Sequence, residues 1–522
     1  MILTTLPTLL AALAVPPPGA QADSSPGLGE SIAAFLGEAA KVAWGLPFIL
    51  MLGSVGLFYT LKLKLPQLRN FGHAVGISAG RYDEKDDPGE VTHFQALCAA
   101  LSATVGVGNI AGVATAIALG GPGAAVWMML FGALGMMTKF ASCTLAIRYR
   151  VYDEDGHILG GPMESIQRGL GPRFKWLATA FAICALIASF GGGNMVQANQ
   201  MANAFTHEFK DSLPGSLSEP VVFLGITTNW LRLMLGAAVA AIVASVIIGG
   251  MKRIGQVAGV LVPVMAVFYV GGAMTVILLH LDRVPETLGE MFTLAFAGGE
   301  EHTVVGGVVG YSVVQALTWG ARRAVFSNEA GLGSAPIAHA AAKTKEPIRE
   351  GLVAMMEPFI DTVVICMMTA LVILMTDAHV LFADKAKEGA IVTREAFRMG
   401  LEAAPWLGAI TVSIGLILFA ISTAISWSYY GDRCASFLFG AWAVKPYRLV
   451  YVIVLFFGAN LKAGFVWDFS DVANAAMAFW HIVALLALVP VVLALYRDYF
   501  SREQVPTKGP GARLHRDEGG TE

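Results

Sequence analysis

The residues whose type and spacing most clearly suggest chemistry are two glycines, Gly106 and Gly108, in an apolar run of helix length. Glycine adopts backbone conformations that other residues avoid, so this pair predicts a helix that unwinds. Unwinding frees backbone N–H and C=O groups, which persist at membrane depth only inside protein or around a polar ligand. In secondary transporters such a break binds the substrate and its coupling ion. The alternative is that these glycines serve only close helix packing, which more often follows a GxxxG spacing.

A second interruption is predicted where polar residues and glycines follow the apolar run that begins at Val304. One interpretation ends this span at Ala321 and makes the rest a cytoplasmic loop. The other, which we favour, makes residues 323–334 an unwound hinge and residues 335–344 a second half-helix. It leaves a connection of about six residues to the next span, which is typical of packed helices.

The hinge interpretation places Arg322 and Arg323 at membrane depth, where a charge is costly unless it faces water or a carboxylate. The candidate partners are Glu329, Glu357 and Asp361. Glu329 is an equally good candidate for substrate binding. Asp361, four residues after Glu357 and so on the same helix face, is also a candidate for proton transfer.

Isolated polar and aromatic residues in other apolar segments are further candidates. Gln197 is a candidate substrate contact, although the polar residues of its segment could equally bond neighbouring helices. Trp427 follows Thr423 by one helical turn and could wall a small pocket, the alternative being an interfacial anchor. Lys139 is expected to extend toward the membrane interface, and His481 to bond neighbouring helices.

Apolar helices must position all of these residues. The chain has 522 residues, of which 56% are hydrophobic and 14% charged, whereas soluble proteins carry about 25% charged residues. The net charge of −3 suggests no nucleic-acid partner, and the five scattered cysteines suggest neither disulfides nor a metal site. A spanning helix needs about 20 apolar residues. Eleven segments qualify: residues 42–61, 94–119, 123–147, 177–203, 233–250, 254–279, 304–343, 351–376, 406–430, 447–466 and 472–496.

Lysine and arginine predict the orientation, because they accumulate in cytoplasmic segments. With the N-terminus outside, 23 of the 35 lie in inside segments and nine in outside segments or at their edges. We therefore expect an outside N-terminus and a cytoplasmic C-terminus, in a bacterial inner membrane.

The two ends of the chain differ from the apolar middle. An apolar stretch is followed by three prolines and Ala20-Gln21-Ala22, so residues 1–22 are expected to be a signal peptide. An uncleaved hydrophobic tail is the alternative, since the stretch lacks a preceding Lys or Arg. Residues 23–500 are expected to form one transmembrane domain with its core at about 94–496. Residues 501–522 are expected to be a disordered tail.

The eleven spans divide as one plus five plus five. Spans two to six and seven to eleven then run in opposite orientations, as inverted repeats require, and each half begins with an interrupted span. The expected fold class is an all-α integral membrane protein of about 11 transmembrane helices, with one extra N-terminal helix and two discontinuous helices.

Long ordered stretches resemble the alanine or glycine:cation symporter family. Two departures are mild and avoid the candidate ligand groups: Met129, where the family usually has Trp, and Ala324 after Arg323, where it usually has Gly. The stretches are ALSATVGVGNIAGVATAI (100–117), GGPGAAVWM (120–128), GNMVQAN (193–199), FSNEAGLGSAPIAHAAAKTK (326–345) and SWSYYGDR (426–433).

This resemblance implies a fold similar to that of the bacterial leucine transporter, with ten core helices in two inverted repeats. It implies sodium-coupled uptake of small neutral amino acids such as alanine or glycine by alternating access, with proton coupling as the alternative. The implied partners are the amino acid, co-transported Na⁺ and the lipid bilayer, without a cofactor or an obligate protein partner. A nucleophile–base motif, which an enzyme would need, and the charged rings of a channel are not evident in the sequence.

The amino acid would present a carboxylate to the N–H groups that open the second half-helix, and sodium would bind carbonyl and hydroxyl oxygens. Bonding of the span-nine hydroxyls within their own helix is the alternative to sodium binding. The candidate substrate residues are Thr104, Gly106, Gly108, Asn109, Gln197, Phe326, Asn328, Glu329, Thr423 and Trp427. The candidate sodium ligands are Ser102, Val105, Phe419, Ser422 and Thr423, where Phe419 is assigned by the resemblance alone.

Overall fold

A computed structural model describes most of the chain. The expected signal peptide lies outside the described residues. So does most of the expected tail, but Thr507 donates backbone and side-chain hydrogen bonds to the carbonyl of Arg81, at 2.7 and 2.9 Å. The described residues are 28–84, 86–152, 158–208, 214–224, 226–297, 302–304, 307–309, 312–381 and 388–508.

Helices make up most of the described chain. In the first half they are α1 (Leu28–Ala43), α2 (Leu46–Lys62), α3 (Pro66–Arg69), α4 (Phe71–Ser78), α5 (His93–Thr104), α6 (Val113–Gly120), α7 (Gly123–Tyr149), α8 (Pro162–Gly169), α9 (Lys175–Phe190), α10 (Val196–Glu208), α11 (Gly215–Ser218), α12 (Trp230–Ile247), α13 (Gly250–Leu279) and α14 (Val284–Phe296). In the second half they are α15 (Val313–Asn328), α16 (Ala335–His339), α17 (Pro347–Ala354), α18 (Met356–Pro358), α19 (Met367–Met375), α20 (Ala378–Leu381), α21 (Gly389–Gly400), α22 (Pro405–Phe439), α23 (Val444–Gly458), α24 (Ala463–Ala487) and α25 (Val489–Ser501).

Wider and tighter turns, and three short antiparallel strand pairs, complete the described structure. The strand pairs mean that the expected all-α fold is mostly, but not entirely, helical. Wide π-type turns cover Gly108–Gly112, Gly191–Met195 and Phe359–Cys366, and 3₁₀ turns cover Pro172–Phe174, Leu281–Arg283 and Ala441–Ala443. The antiparallel strand pairs are β1 (Val151–Tyr152) with β2 (Ile158–Leu159), β3 (Pro220–Phe223) with β4 (Ile226–Asn229), and β5 (His302–Val304) with β6 (Gly307–Val309).

The expected fold of many membrane-crossing helices is confirmed, but the described residues do not confirm the count of eleven. Eight described helices are long and apolar enough to cross a membrane, or up to ten if each of two bent pairs counts as one span. The bent pairs are α1 with α2, at 46°, and the pair formed by α5 and the segment Gly108–Gly120, at 52°.

The seventh expected span is the one that differs most from the prediction. Val304 belongs to strand β5, and the helix begins at Val313 rather than at the start of the apolar run. That helix, α15, continues to Asn328, so residues 323–328 are helical rather than unwound. The break is confined to residues 329–334, and α16 ends at His339 instead of at residue 344.

The two interrupted helices begin in the same way. Before α5, the Thr92 hydroxyl accepts from the Gln95 N–H at 3.2 Å while the Gln95 side chain accepts from the Thr92 N–H at 3.1 Å. Before α15, Ser312 and Gln315 exchange the same two bonds, both at 3.1 Å. Each capping box satisfies amides that a helix start leaves unpaired, and so fixes where each broken helix starts.

The broken helices lie in the middle of the bundle. Helix α15 packs against α6 and α7, while α22 packs against α5, α9, α10 and α13. The residues on both sides of the breaks are buried, among them Ala103, Val107 and Val325. The breaks are therefore enclosed by protein, which is the condition for irregular backbone at membrane depth.

Candidate functional site

The first break lies between Thr104 and Gly108, as the glycine pair predicts. The helix stops at Thr104, Val105 leaves the helical conformation at φ −73° and ψ 89°, and a wide turn begins at Gly108. A Cβ on Gly106 would lie 2.5 Å from the Thr423 hydroxyl oxygen, and one on Gly108 would lie 3.0 Å from the Cα of Ser327. Both positions need glycine because α22 and α15 approach this closely.

Two amides at this break, those of Gly106 and Val107, donate to side chains of the protein itself. The Gly106 N–H donates to the Asn109 side-chain oxygen at 2.8 Å. The Val107 N–H donates to the Gln197 side-chain oxygen at 3.2 Å, and the Gln197 amide donates to the carbonyl of Gly192 at 2.7 Å. Neutral amide side chains therefore serve as acceptors at the first break.

The second break is a left-handed turn. Glu329 has φ 57°, Gly331 has φ 94° and Gly333 has φ 89°. The Asn328 side chain accepts from the N–H of Ala330 at 2.9 Å. Glycine carries two of the three left-handed positions, where other residues are strained, and Glu329 occupies the third.

Glu329 faces the first break rather than the arginines that were considered as its partners. Its carboxylate accepts from the indole N–H of Trp427 at 2.6 Å and from the Ser334 hydroxyl at 2.5 Å. Trp427 is only 3% exposed, so it is a wall of the interior and not an interfacial anchor.

The two arginines of helix α15, which precede the second break, have a different partner. Arg322 and Arg323 both donate to Asp471 on α24, and Arg323 does so at 2.9 Å. The Arg323 guanidinium also lies 4.5 Å from the ring centre of Trp467. Within the described chain, neither arginine forms an ion pair with the expected partners Glu329, Glu357 and Asp361. Asp471, about 150 residues away in sequence, could not be singled out from pattern alone.

A small cavity lies between the two breaks. Its volume is about 10 Å³, which is about the space of one water molecule. Asn109 and Asn328, which were also expected here, do not line it. The candidate substrate residues that line the cavity are Thr104, Gly106, Gly108, Gln197, Phe326, Glu329, Thr423 and Trp427.

Three residues line this cavity that the sequence analysis did not select: Ala103, Gly192 and Asn474. Asn474 on α24 is 2% exposed, and its side-chain oxygen has no hydrogen-bond partner within the described chain. A buried acceptor without a donor is costly, so this oxygen is well suited to a ligand. The signal was present in the sequence as a lone Asn in an apolar segment.

The candidate sodium ligands meet where α5 ends against α22. The Ser102 hydroxyl donates to the Ser422 carbonyl at 2.9 Å, and the Thr423 hydroxyl donates to the Ser102 carbonyl at 3.1 Å. The Ser422 hydroxyl donates to the Phe419 carbonyl of its own helix at 2.9 Å. Ser422 therefore bonds within its own helix, which was the alternative to sodium binding. The Thr423 hydroxyl instead bonds across to the first break, beside Val105.

Asn109 connects the first break to a buried carboxylate. Its amide donates to Asp361 at 2.7 Å, and that carboxylate also accepts from Ser327 at 2.8 Å and from Thr362 at 2.7 Å. Asn328 donates to Thr362 at 2.9 Å. Asn109 and Asn328 thus support the two breaks from behind, through one network centred on Asp361.

A chain of five buried ionisable groups lies behind the second break, and we call it the charge chain. It connects Lys139 to Glu357, Glu357 to His339, His339 to Glu350, and Glu350 to His93. Lys139 is 2% exposed, so the expectation that it extends toward the interface is wrong. It remains inside because Glu357 neutralises it there.

The remaining polar residues near α10 bond neighbouring helices. Asn194 donates to the Tyr451 carbonyl at 2.8 Å, and Asn199 donates to the carbonyls of Gly458 and Leu461 at 3.1 and 2.7 Å. Of this polar stripe only Gln197 lines the cavity. His481 bonds neighbouring helices, as expected, through Ser142 and the Gly331 carbonyl, both at 2.8 Å.

Comparison with known proteins identifies the family. The profile described as the sodium:alanine symporter family matches residues 29–510. The chain belongs to this family. It is therefore a secondary transporter and a multi-pass membrane protein, not an enzyme.

Individual relatives of this family member extend over most of its length. The sodium/alanine symporter AgcS of Methanococcus maripaludis is 39% identical over 456 residues, which cover 86% of this chain and 93% of that protein. An uncharacterized transporter of Haemophilus influenzae is 41% identical over 463 residues, covering 88% and 95%.

A solved structure supports the fold of this family member. The crystal structure of MhsT in complex with L-phenylalanine superposes with a TM-score of 0.53 at 15% identity. It covers 78% of this chain and 99% of that one. At this identity the likeness shows the fold alone, which is that of the bacterial leucine transporter.

Proposed function

We propose that this protein carries small neutral amino acids, alanine and glycine first among them, into the cell together with sodium by alternating access. The observation that carries the proposal is the cavity between two helix breaks, which is lined by Thr423, whose hydroxyl donates to the Ser102 carbonyl. The named activity of AgcS, a sodium/alanine symporter, supports the same substrate and ion.

The two ends of an amino acid find complementary groups in this cavity. The carboxylate of Glu329 and the unpartnered oxygen of Asn474 would accept hydrogen bonds from the substrate ammonium. The substrate carboxylate would replace the Gln197 oxygen as acceptor for the Val107 N–H. The Gln197 NH2 group, which already donates one hydrogen to the Gly192 carbonyl, could donate its second hydrogen to the same carboxylate.

Substrate size would be limited by aromatic walls. Trp427 and Phe326 line the cavity, and the Glu329 carboxylate fixes the orientation of the indole. Gly193 makes room for this ring, because a Cβ there would lie 1.9 Å from the Trp427 Cγ. A cavity of about 10 Å³ must widen for any substrate, and a small side chain requires the least widening.

Sodium would bind where the main chain of the break meets α22. The carbonyls of Ser102 and Val105 and the hydroxyl of Thr423 are the first ligands that we propose, with Ser422 and Phe419 beside them. Ion and substrate would then stabilise the same arrangement of the first break. Such shared stabilisation is a coupling free energy, and it acts equally in both directions.

Placement in the membrane follows from charge. We propose a bacterial inner membrane location with the N-terminus outside and the C-terminus in the cytoplasm, because most lysines and arginines fall in the segments that this orientation puts inside.

Uptake by proteoliposomes tests the proposal. Labelled alanine should accumulate under an inward sodium gradient, and Thr423→Ala should lower the sodium-driven rate at least about tenfold, a loss of about 1.4 kcal/mol. Thr411→Ala is the matched control, since Thr411 lies on the same helix with its hydroxyl bonded to the Leu407 carbonyl at 2.8 Å. Accumulation that is independent of sodium, with Thr423→Ala as active as Thr411→Ala, would contradict the proposal. Competition by glycine, serine and D-alanine would rank the substrates.

Proton coupling is a second candidate, and Asp361 is the observation that favours it. Its buried carboxylate accepts three side-chain hydrogen bonds, and the structure shows no ion pair for it among the described residues. Replacing sodium with choline at fixed pH separates the two candidates, because only proton-driven uptake would persist.

A further inference from the structure

A second pocket lies at the ends of four helices, where its lining residues Tyr429 and Arg433 follow Trp427 of the substrate cavity along α22. It is bounded by the junction of α12 with α13 and by that of α22 with α23, and its volume is about 330 Å³, within the ~300–1,000 Å³ of small-molecule sites. Its charged lining residues are Lys252, Arg433, Lys445, Arg448 and Glu90.

The pocket has surplus positive charge. Asp432, buried behind it, accepts from Arg433 at 2.9 Å and from Arg448 at 2.6 Å, so one carboxylate is shared by two guanidinium groups. The ammonium groups of Lys252 and Lys445 form no hydrogen bond or ion pair with any described residue. Four cations thus face two carboxylates, Asp432 and Glu90.

One helix start adds to this charge. The 30-residue helix α13 begins at Gly250 without a side-chain cap, and Gly250, Met251 and Lys252 of its first turn line the pocket. Helix α23 also meets the pocket, but it continues from the 3₁₀ turn Ala441–Ala443, and the Ala441 carbonyl already accepts from the Val444 N–H. A helix N-terminus carries partial positive charge and presents N–H groups. Together with the side-chain cations, the start of α13 forms a site for a phosphate group.

The surface around the pocket is apolar and exposed. Ile248 is 74% exposed, Trp442 73% and Leu449 63%. In a multi-pass membrane protein such side chains face lipid, and tryptophan is typical of the level of the headgroups. The ligand therefore has a phosphate that reaches the cations and a hydrocarbon part that covers these side chains.

We propose that this pocket binds the phosphodiester headgroup of an anionic phospholipid. Basic pockets between transmembrane helices on the cytoplasmic side are known to take such headgroups, and the lysine and arginine bias assigns this side to the cytoplasm. Glu90 lies three residues before the start of α5, and Tyr429 and Arg433 belong to α22. The pocket therefore lies where the segment before α5 meets α22, and these two helices carry the candidate sodium ligands.

Lipid binding to the detergent-purified full chain tests this site without any transport measurement. Native mass spectrometry should detect bound phosphatidylglycerol, and a Lys252→Gln, Lys445→Gln double variant should bind it at least about tenfold more weakly. An Arg173→Gln, Lys175→Gln double variant is the matched control, since it removes two exposed charges on the same expected side, away from the pocket. It should bind within about twofold of the unchanged chain. All four positions are on the surface, so both variants should fold, which size-exclusion chromatography checks.

Two further probes identify the source of the phosphate. Phosphatidylcholine, which carries no net charge, and glycerol 3-phosphate, which has no acyl chains, should each bind at least about tenfold more weakly than phosphatidylglycerol. Equal binding of glycerol 3-phosphate would overturn the lipid assignment in favour of a soluble phosphate, and equal binding of phosphatidylcholine would overturn the role of the charge. Equal binding by the two double variants would overturn the site itself. None of these results depends on sodium or alanine, so they are separate from the test of the proposed function.

Discussion

The two helix breaks differ in whether a carboxylate stands in the break itself. At the first break the backbone is held by neutral amides, those of Asn109 and Gln197. At the second break the Asn328 amide likewise accepts from a backbone N–H, but a carboxylate, Glu329, occupies the turn, and the charge chain passes nearby through His339 at the end of α16. Neutral dipoles can be exchanged for those of a ligand at small cost, whereas buried charges hold one geometry firmly.

This difference suggests a division of labour between the breaks. The first break, which can exchange the Gln197 oxygen for a substrate carboxylate, would be the part that responds to substrate and ion. The second break, supported by Glu329 and by the charge chain, would be the fixed frame against which the first one closes. Each of the following predictions tests one side of this division.

The largest effect is expected on stability when the charge chain is cut. Glu357→Gln removes the carboxylate that neutralises Lys139 and accepts from His339. Breaking a buried ion pair by removing one partner costs ~3–5 kcal/mol, so the folded fraction after heating in detergent should fall steeply. Asp377→Asn is the control, because it breaks an exposed pair with Arg283, which is worth ~0–1 kcal/mol. If the two variants were equally stable to heat, the charge chain would not hold the second break as a fixed frame.

The first break could be predicted from sequence because its signal is local. Gly106 and Gly108 stand together, and what they permit is a property of the backbone around them. Most of the cavity residues followed from the same stretch and from the short stretches that resemble the family. The bond from the Val107 N–H to Gln197 could not be predicted, because Gln197 comes from another helix and the contact has no local signal.

The second break was predicted in place but not in length. Residues 323–334 were expected to be unwound because that interpretation leaves a short connection to the next span. The partners considered for Arg322 and Arg323 were Glu329, Glu357 and Asp361, but Asp471 on α24, at the other end of the sequence, pairs with both arginines. Lys139 was misplaced for the same reason. Long-range ion pairs decide which charged residues remain helical and buried, and a single sequence does not reveal such pairs.

The next largest effect is expected on transport when the first break loses its close approach. In Gly106→Ala the added Cβ would lie 2.5 Å from the Thr423 hydroxyl and 3.3 Å from the Gln197 oxygen. Such overpacking costs ~1–3 kcal/mol, so the initial rate of sodium-driven alanine uptake should fall ~10- to 100-fold. Gly271→Ala is the matched control in helix α13, where an added Cβ meets no atom within 4 Å. If Gly106→Ala transports as well as Gly271→Ala, the first break is not the part that must move and bind.

The smallest expected effect is on alanine binding alone, and it distinguishes the break that contacts the substrate ammonium from the break that contacts sodium. Ser334→Ala removes one of the two donors to Glu329 and leaves the Trp427 bond in place. The loss of one hydrogen bond costs ~1 kcal/mol, so the KM for alanine should rise about fivefold. Sodium binding measured without alanine should change less than twofold, because the proposed sodium oxygens lie at the first break. If the variant weakened sodium binding as much as alanine uptake, the two breaks would not be separable, and the ion and the ammonium would share one electrostatic site.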